Sequence, residues 1–242
     1  MAENRASAYA EGVPCWVDAQ LADVGAGRRF YGELFGWTFD EEEAPEGYVW
    51  ALLDGERVAA LSPKSDGRMP TVWTVYFATP DVRALARRIR VRGGQLVLPP
   101  VAVDGLGTAA LAVDPEGAAF GLWEPAGLPG FGRRHEPGTF AWAQLYARDT
   151  DTANAFYGDV FHEALFGPDA RPDFGRAPVT DVFPPEMPPH FLVHFRVADR
   201  AGALGAVQRL GGRVQVPHFE TSYGTVAVVV DNQGASFALL ER

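Results

Sequence analysis

Phe30-Tyr31-Gly32-Glu33-Leu34-Phe35 and Phe156-Tyr157-Gly158-Asp159-Val160-Phe161 are one hexapeptide pattern written twice, 126 positions apart. The same offset carries Pro14-Cys15-Trp16-Val17-Asp18 onto Phe140-Ala141-Trp142-Ala143-Gln144. Further on, Gly93-Gly94-Gln95-Leu96-Val97-Leu98-Pro99 matches Gly211-Gly212-Arg213-Val214-Gln215-Val216-Pro217 at an offset of 118, and the stretch Asp114 to Phe120 matches Asp231 to Phe237 at 117. Order and spacing persist over a whole domain length, so the chain is a tandem repeat, a feature that outranks any local reading of the fold. The fall in offset places a loss of about eight residues between Phe161 and Met187. There the Pro-rich Phe166-Gly167-Pro168-Asp169-Ala170-Arg171-Pro172 replaces Tyr48 to Leu53, and one or more strands are expected to be missing or shortened.

A chain of 242 residues suits two compact domains. The repeat sets them at 11–125 and 139–242, the second shortened within 162–187, with a linker at 126–138. Gly and Pro interrupt that linker too often for a helix or a strand ladder, so it reads as an extended surface connection.

Each repeat divides again into two βαβββ units. Val13 to Gln20 alternates as a strand, and Val24 to Phe35 places Phe30, Tyr31, Leu34 and Phe35 on one helical face before Gly36 stops it. Short strands follow at Trp37–Phe39, Tyr48–Leu53 and Val58–Leu61, with Asp54-Gly55 as a hairpin turn. The next unit runs from strand Val72–Ala78 through a helix capped by Asp81 to strands near Leu96, Thr108–Val113 and Ala119–Trp123. Phe191–Val197, Asp199–Leu210 and Val226–Val230 fill the corresponding places in the second repeat.

Composition removes several classes of function. The chain has 21 Lys and Arg against 31 Asp and Glu, a net charge of −10, which disfavours nucleic acid and anionic membranes. The cluster Arg87, Arg88, Arg90 and Arg92 reads as a solvated helix face. Cys15 is the single cysteine, no apolar run reaches membrane-spanning length, and the first residues lack a signal-peptide core, so a cytoplasmic location is expected. No Gly-x-Ser-x-Gly elbow, phosphate loop or dinucleotide fingerprint is present.

Paired βαβββ units with Phe-Tyr-Gly after the first strand and Asp-Pro-x-Gly before the last resemble the vicinal-oxygen-chelate superfamily, which includes glyoxalases, bleomycin-resistance proteins and extradiol dioxygenases. The resemblance implies an α+β fold: a tandem pair of glyoxalase-like domains, each built from two βαβββ units that curl into a cup-shaped mixed sheet with helices outside. In metal enzymes of that family, His, Gln and Glu on the first and fourth strands hold a divalent ion. Carried over, the first-strand positions are Trp16 and Trp142, and the closing glutamates become Gly121 and Ala238. The remaining positions are Thr74, Leu192 and Ala59 or Ala60, and apolar side chains cannot coordinate a cation. Neither a metal nor another cofactor is therefore expected. His190 and His194, four apart on one strand, are too distant to share an ion, whereas His194 with His218 and Glu220 stays open as an alternative.

By the same carry-over, the ligand-binding candidates facing the cups are Trp16, Asp18, Thr74, Tyr76, Trp123, Trp142, Gln144, Tyr146, His194 and Arg196. Such a wall suits a planar small molecule, and the tryptophans could equally plug the cups. Cys15 reads as a packed hydrophobe. The leading expectation is a metal-independent protein that binds a planar metabolite or antibiotic-like ligand for sequestration, resistance or biosynthesis. The alternative is an enzyme of the family, with or without a metal, using Asp18, Tyr76, His194 or Arg196 for acid–base work. The expected partner is a small molecule, with homodimerisation as an option.

Overall fold

Four aspartates open the four long helices with nearly the same cap. Asp23, Asp81, Asp149 and Asp199 are extended, at φ between −117° and −149°, and the side chain of each accepts from a backbone N–H of the first turn. That satisfies a donor which the helix itself leaves orphaned. The helices are α1 (Val24–Phe35), α2 (Val82–Val91), α3 (Thr150–Val160) and, after a short α4 (His162–Phe166), α5 (Arg200–Arg209). The cap recurs once per βαβββ unit, although only Asp81 was legible as a cap in advance. The computed structural model describes residues 9–42, 44–68, 70–168, 170 and 172–242. Asp169 and Arg171 of the Pro-rich segment, and the N-terminal residues read for a signal peptide, lie outside these.

Two mixed sheets carry the strands. The first has eight, β1 (Pro14–Leu21), β2 (Thr38–Asp40), β3 (Val49–Leu53), β4 (Glu56–Pro63), β5 (Val72–Ala78), β6 (Gln95–Val103), β7 (Gly107–Val113) and β8 (Ala119–Pro125), in the order β2-β3-β4-β1-β5-β8-β7-β6. The second has six, β9 (Phe140–Ala147), β10 (Phe174–Pro178), β11 (His190–Val197), β12 (Arg213–Thr221), β13 (Gly224–Val230) and β14 (Ser236–Glu241), in the order β10-β9-β11-β14-β13-β12. The expected shortening is visible here: the single strand β10 lies parallel to β9, where the first repeat sets β4 parallel to β1 and adds β3 and β2 beyond it. The hairpin between β3 and β4 turns on Asp54 and Gly55, both at positive φ (50° and 84°), as the Asp-Gly pair requires.

By packing, the chain forms two compact units, each drawn from both repeats. Among the described residues, one comprises those within 9–16, 75–130 and 143–191, and the other those within 17–74, 131–142 and 192–242. The first unit is centred on aromatic rings: Phe77 stacks on Phe161 at 4.7 Å, and Phe120, Phe174 and Phe191 meet Phe77 edge-on. The second has its own cluster, in which Phe195 packs on Phe35, Trp37, Trp73 and Phe237 at 4.9 to 5.9 Å.

The repeated motifs explain themselves within these units. Asp231 Oδ1 accepts from the N–H groups of Gln233 and Ala235, closing its own turn, while Oδ2 accepts from the Tyr31 hydroxyl at 2.8 Å. Asp114 does the same with Glu116 and Ala118, and its Oδ2 accepts from Tyr157 at 3.0 Å. The Asp of one repeat's Asp-x-x-Gly turn thus holds the Tyr of the other repeat's Phe-Tyr-Gly. Burial, and then the facing carboxylate, drives both tyrosine pKa values well upward.

The linker differs from the extended surface connection expected of it. Leu128 and Phe131 are buried, and Phe131 stacks on Phe140 at 4.8 Å. Arg133 bridges Asp54 and Glu136. Apolar side chains among the glycines and prolines pin the segment down. The basic face of α2 is solvated as expected at Arg87, Arg90 and Arg92, while the half-buried Arg88 pairs with Glu11 and donates to the Val160 carbonyl.

Candidate functional site

Alternation along a strand predicts one buried and one open face, yet β1 is buried on both: Cys15 and Val17 on one side, Trp16 and Asp18 on the other. In the first unit, Trp16, Tyr76 and Trp123 are each less than a tenth exposed. Tyr76 pairs in register with Gly121 on the neighbouring β8. A Cβ on Gly121 would lie 2.1 Å from Tyr76 Cδ1, so the tyrosine ring rests on the bare backbone of the position to which the resemblance carries the metal enzymes' glutamate. Trp123 is anchored by donating its indole N–H to the Leu128 carbonyl at 2.8 Å, over Gly107, whose absent Cβ makes room for the ring. Cys15 donates through sulfur to the Tyr76 carbonyl and is fully buried, as a packed residue should be.

Gln144 and Tyr146 also belong to this unit and are buried. Gln144 donates to the Leu145 carbonyl at 3.3 Å. Tyr146 packs edge-on against Phe183 at 4.9 Å and faces His190 at 5.7 Å. His190 and Phe183 were not among the sequence candidates. Burial lowers the His190 pKa, and its Nδ1 lies 2.9 Å from the Pro188 carbonyl.

In the second unit, Asp18 is buried and sits beside two residues that the sequence reading missed, Tyr48 and Ser62. Burial, followed by the Asp18 charge, pushes the Tyr48 pKa up to about 12, against a hydrogen bond with Ser62. The parallel register sets Asp18 opposite Ala60 and Ser62 two positions further along the same strand, opposite Gln20. Thr74 is half-buried.

The second unit also assembles a cluster on β9, β11 and the β12–β13 turn. Trp142, half-buried, stacks on Tyr223 with centroids 5.1 Å apart and planes 29° from parallel. Tyr223 meets His194 edge-on at 6.1 Å. His194 has no exposed surface, its Nδ1 is 3.0 Å from the Leu192 carbonyl, and its buried Nε2 has no hydrogen-bond partner among the described residues. Burial lowers its pKa to about 4, so the ring is neutral at physiological pH. Tyr223 was not a sequence candidate; its position in a turn hid it from strand alternation. Arg196, read as a rim or site charge, instead donates to the His135 carbonyl at 2.6 Å and the Arg242 carbonyl at 3.4 Å, tying linker and C-terminus to β11.

The donor set does not fit the family's metal. Gly121 lies under the Tyr76 ring, and Ala238, in register with His194, offers no ligand atom. His218 and Glu220 are exposed while His194 is enclosed, and among the described residues no three His, Cys, Asp or Glu side chains gather to hold an ion.

Residues 16–122 match the Glyoxalase/Bleomycin resistance protein/Dioxygenase superfamily. The chain is 36% identical over 252 residues to the protein named "Putative glyoxylase CFP32" of Mycobacterium tuberculosis (strain CDC 1551 / Oshkosh), with 97% of each covered. It is 34% identical over 265 residues to anthracycline biosynthesis protein DauV of Streptomyces sp. (strain C5), covering 96% of this chain and 94% of that one. A solved structure of an Mn(II)-bound glyoxalase from Novosphingobium aromaticivorans superposes with a TM-score of 0.63 at 16% identity, over 96% of this chain and 82% of that one, a likeness of fold alone. The chain belongs to the glyoxalase/bleomycin resistance/dioxygenase superfamily, the vicinal-oxygen-chelate proteins, and carries its paired βαβββ architecture once in full and once with the first unit reduced to one strand after its helices.

Proposed function

We propose that this chain is a metal-independent member of the superfamily that binds a small, largely planar metabolite or antibiotic-like molecule against aromatic side chains, in sequestration, resistance or support of biosynthesis. The observation that carries the reading is the Tyr76 ring seated on Gly121: the place of a ligand carboxylate is taken by an aromatic face, which stacks and does not coordinate. Trp142 on Tyr223 supplies a second stacking surface. The name of the relative DauV supports the same class of ligand, since an anthracycline is a fused planar ring system. Titrating the protein with an anthraquinone should give saturable quenching of tryptophan fluorescence, and a flat titration counts against the reading. Elemental analysis after purification without chelator should find no stoichiometric Fe, Mn, Ni or Zn; one equivalent of any of them overturns metal independence.

One observation favours a second reading, an enzyme of the family acting on the same ligand. His194 Nε2 is a buried imidazole nitrogen with no partner among the described residues, a nitrogen free to accept a proton from a bound ligand, although the burial that lowers its pKa to about 4 makes it a weak base at neutral pH. Turnover that His194→Gln abolishes would select this reading over binding alone.

A further inference from the structure

The Leu192 carbonyl can only accept a hydrogen bond, so the His194 Nδ1 facing it at 3.0 Å carries the proton. A neutral imidazole has one N–H, and the other nitrogen, Nε2, therefore presents a bare lone pair. That lone pair is buried with no partner among the described residues, and a buried acceptor left unmade is costly enough to call for an explanation. Beside the imidazole ring lies Tyr223, a phenol stacked on Trp142 and turned edge-on to His194 with centroids 6.1 Å apart. Its backbone N–H donates to Thr221 Oγ1 at 3.3 Å, and the His194 acceptor is left unused. Tyr223 occupies the turn between β12 and β13, where Thr221 Oγ1 donates to the Gly224 carbonyl at 2.6 Å. Hairpin tips open locally at far lower cost than strands in a core.

We propose that Trp142 and His194 form a recognition site for a planar aromatic bearing a free hydroxyl, and that Tyr223 fills this site until the ligand displaces it. The ligand ring takes the place of the Tyr223 ring on Trp142, and its hydroxyl donates to His194 Nε2. The proposal rests on the small-molecule reading above and adds the ligand's donor group and the side chain that gates entry. No bond is made or broken.

Calorimetric titration with 2-naphthol and with 2-methoxynaphthalene separates the parts of the proposal, because the ether keeps the rings and loses the donor. The parent protein should bind 2-naphthol about tenfold more tightly, or about 1.4 kcal/mol. His194→Phe should bring the ratio close to one while keeping affinity for the ether, and Tyr223→Ala should tighten both ligands several-fold. Equal affinity of the two ligands for the parent, or an unchanged ratio in His194→Phe, overturns the inference and leaves the binding reading standing. Failure of both ligands to bind the parent and Tyr223→Ala overturns both. If His194→Phe does not fold, the 15N resonance of His194 Nε2 in the parent decides: it should shift on saturation with 2-naphthol and stay put with the ether, and a resonance indifferent to 2-naphthol overturns the proposal.

Discussion

His194 couples stability to pH. Its folded pKa of about 4 lies below the ordinary 6.5, so between those values the unfolded chain binds a proton that the folded chain refuses. The stabilisation is complete above about pH 6.5 and is lost as the pH falls through about 4, amounting to roughly 3 kcal/mol for a shift of this size. Urea unfolding at pH 7 and pH 4.5 should show that loss in the parent and a much smaller one in His194→Gln; equal losses would place the titration elsewhere. His190, whose pKa is also lowered, contributes in the same direction and persists in the variant. The Tyr–Asp pairs give a second residue-level expectation. Tyr31→Phe strands both the Asp231 carboxylate and the Trp73 indole N–H, which donates to the Tyr31 hydroxyl at 3.0 Å, whereas Tyr157→Phe strands only Asp114. Both should destabilise by about 1–3 kcal/mol, with Tyr31→Phe the costlier, as read from denaturant midpoints. At this scale the sequence named residues that the structure buries, Trp16, Asp18, Tyr76 and His194, but alternation did not single them out, since Cys15 and Val17 on the other face of β1 are buried too. It was silent on Tyr48, Ser62 and Tyr223, and it did not reveal the partners of Arg196, which are linker and C-terminal carbonyls that no local pattern encodes.

Elements were easier to read than their environments. The helix start at Asp81, the Asp54-Gly55 hairpin and the strands around the repeated motifs follow from cap, turn residues and apolar period, and the offset between repeats foretold that the second sheet would have strands missing or shortened. Which face of a strand meets another ring could not be read in that way, because it depends on the glycine of a neighbouring strand. The β5–β8 pairing makes this testable. Gly121→Ala forces a methyl into the Tyr76 ring and should destabilise by roughly 1–3 kcal/mol, the usual range for overpacking. Tyr76→Ala leaves a cavity, yet Gly121→Ala made on top of it should cost much less than Gly121→Ala alone. A double-mutant cycle from thermal or urea unfolding measures the difference, and strict additivity would mean that ring and glycine are not in contact.

For the whole molecule, the repeat in sequence and the unit in space are different divisions. Each compact unit takes strands from both repeats, and the hydrogen bonds Tyr31 to Asp231 and Tyr157 to Asp114 both run from one repeat to the other. The sequence suggested two consecutive domains because duplication leaves its trace in chain order, whereas packing follows the motifs. A fragment of residues 1–130 keeps Tyr31 and Asp114 but loses the partner of each. The one way for it to satisfy both is a second copy of itself, in which Tyr31 of one meets Asp114 of the other, the same Tyr-to-Asp pairing made symmetrically. The fragment should therefore be a dimer or unfolded, and never a folded monomer. Mixing it with residues 131–242 should restore a 1:1 complex with the near-ultraviolet dichroism of the intact chain. Sedimentation equilibrium with near-ultraviolet spectra distinguishes these outcomes, and a cooperatively folded monomer of residues 1–130 would show that the repeat, and not the pairing of repeats, is the folding unit.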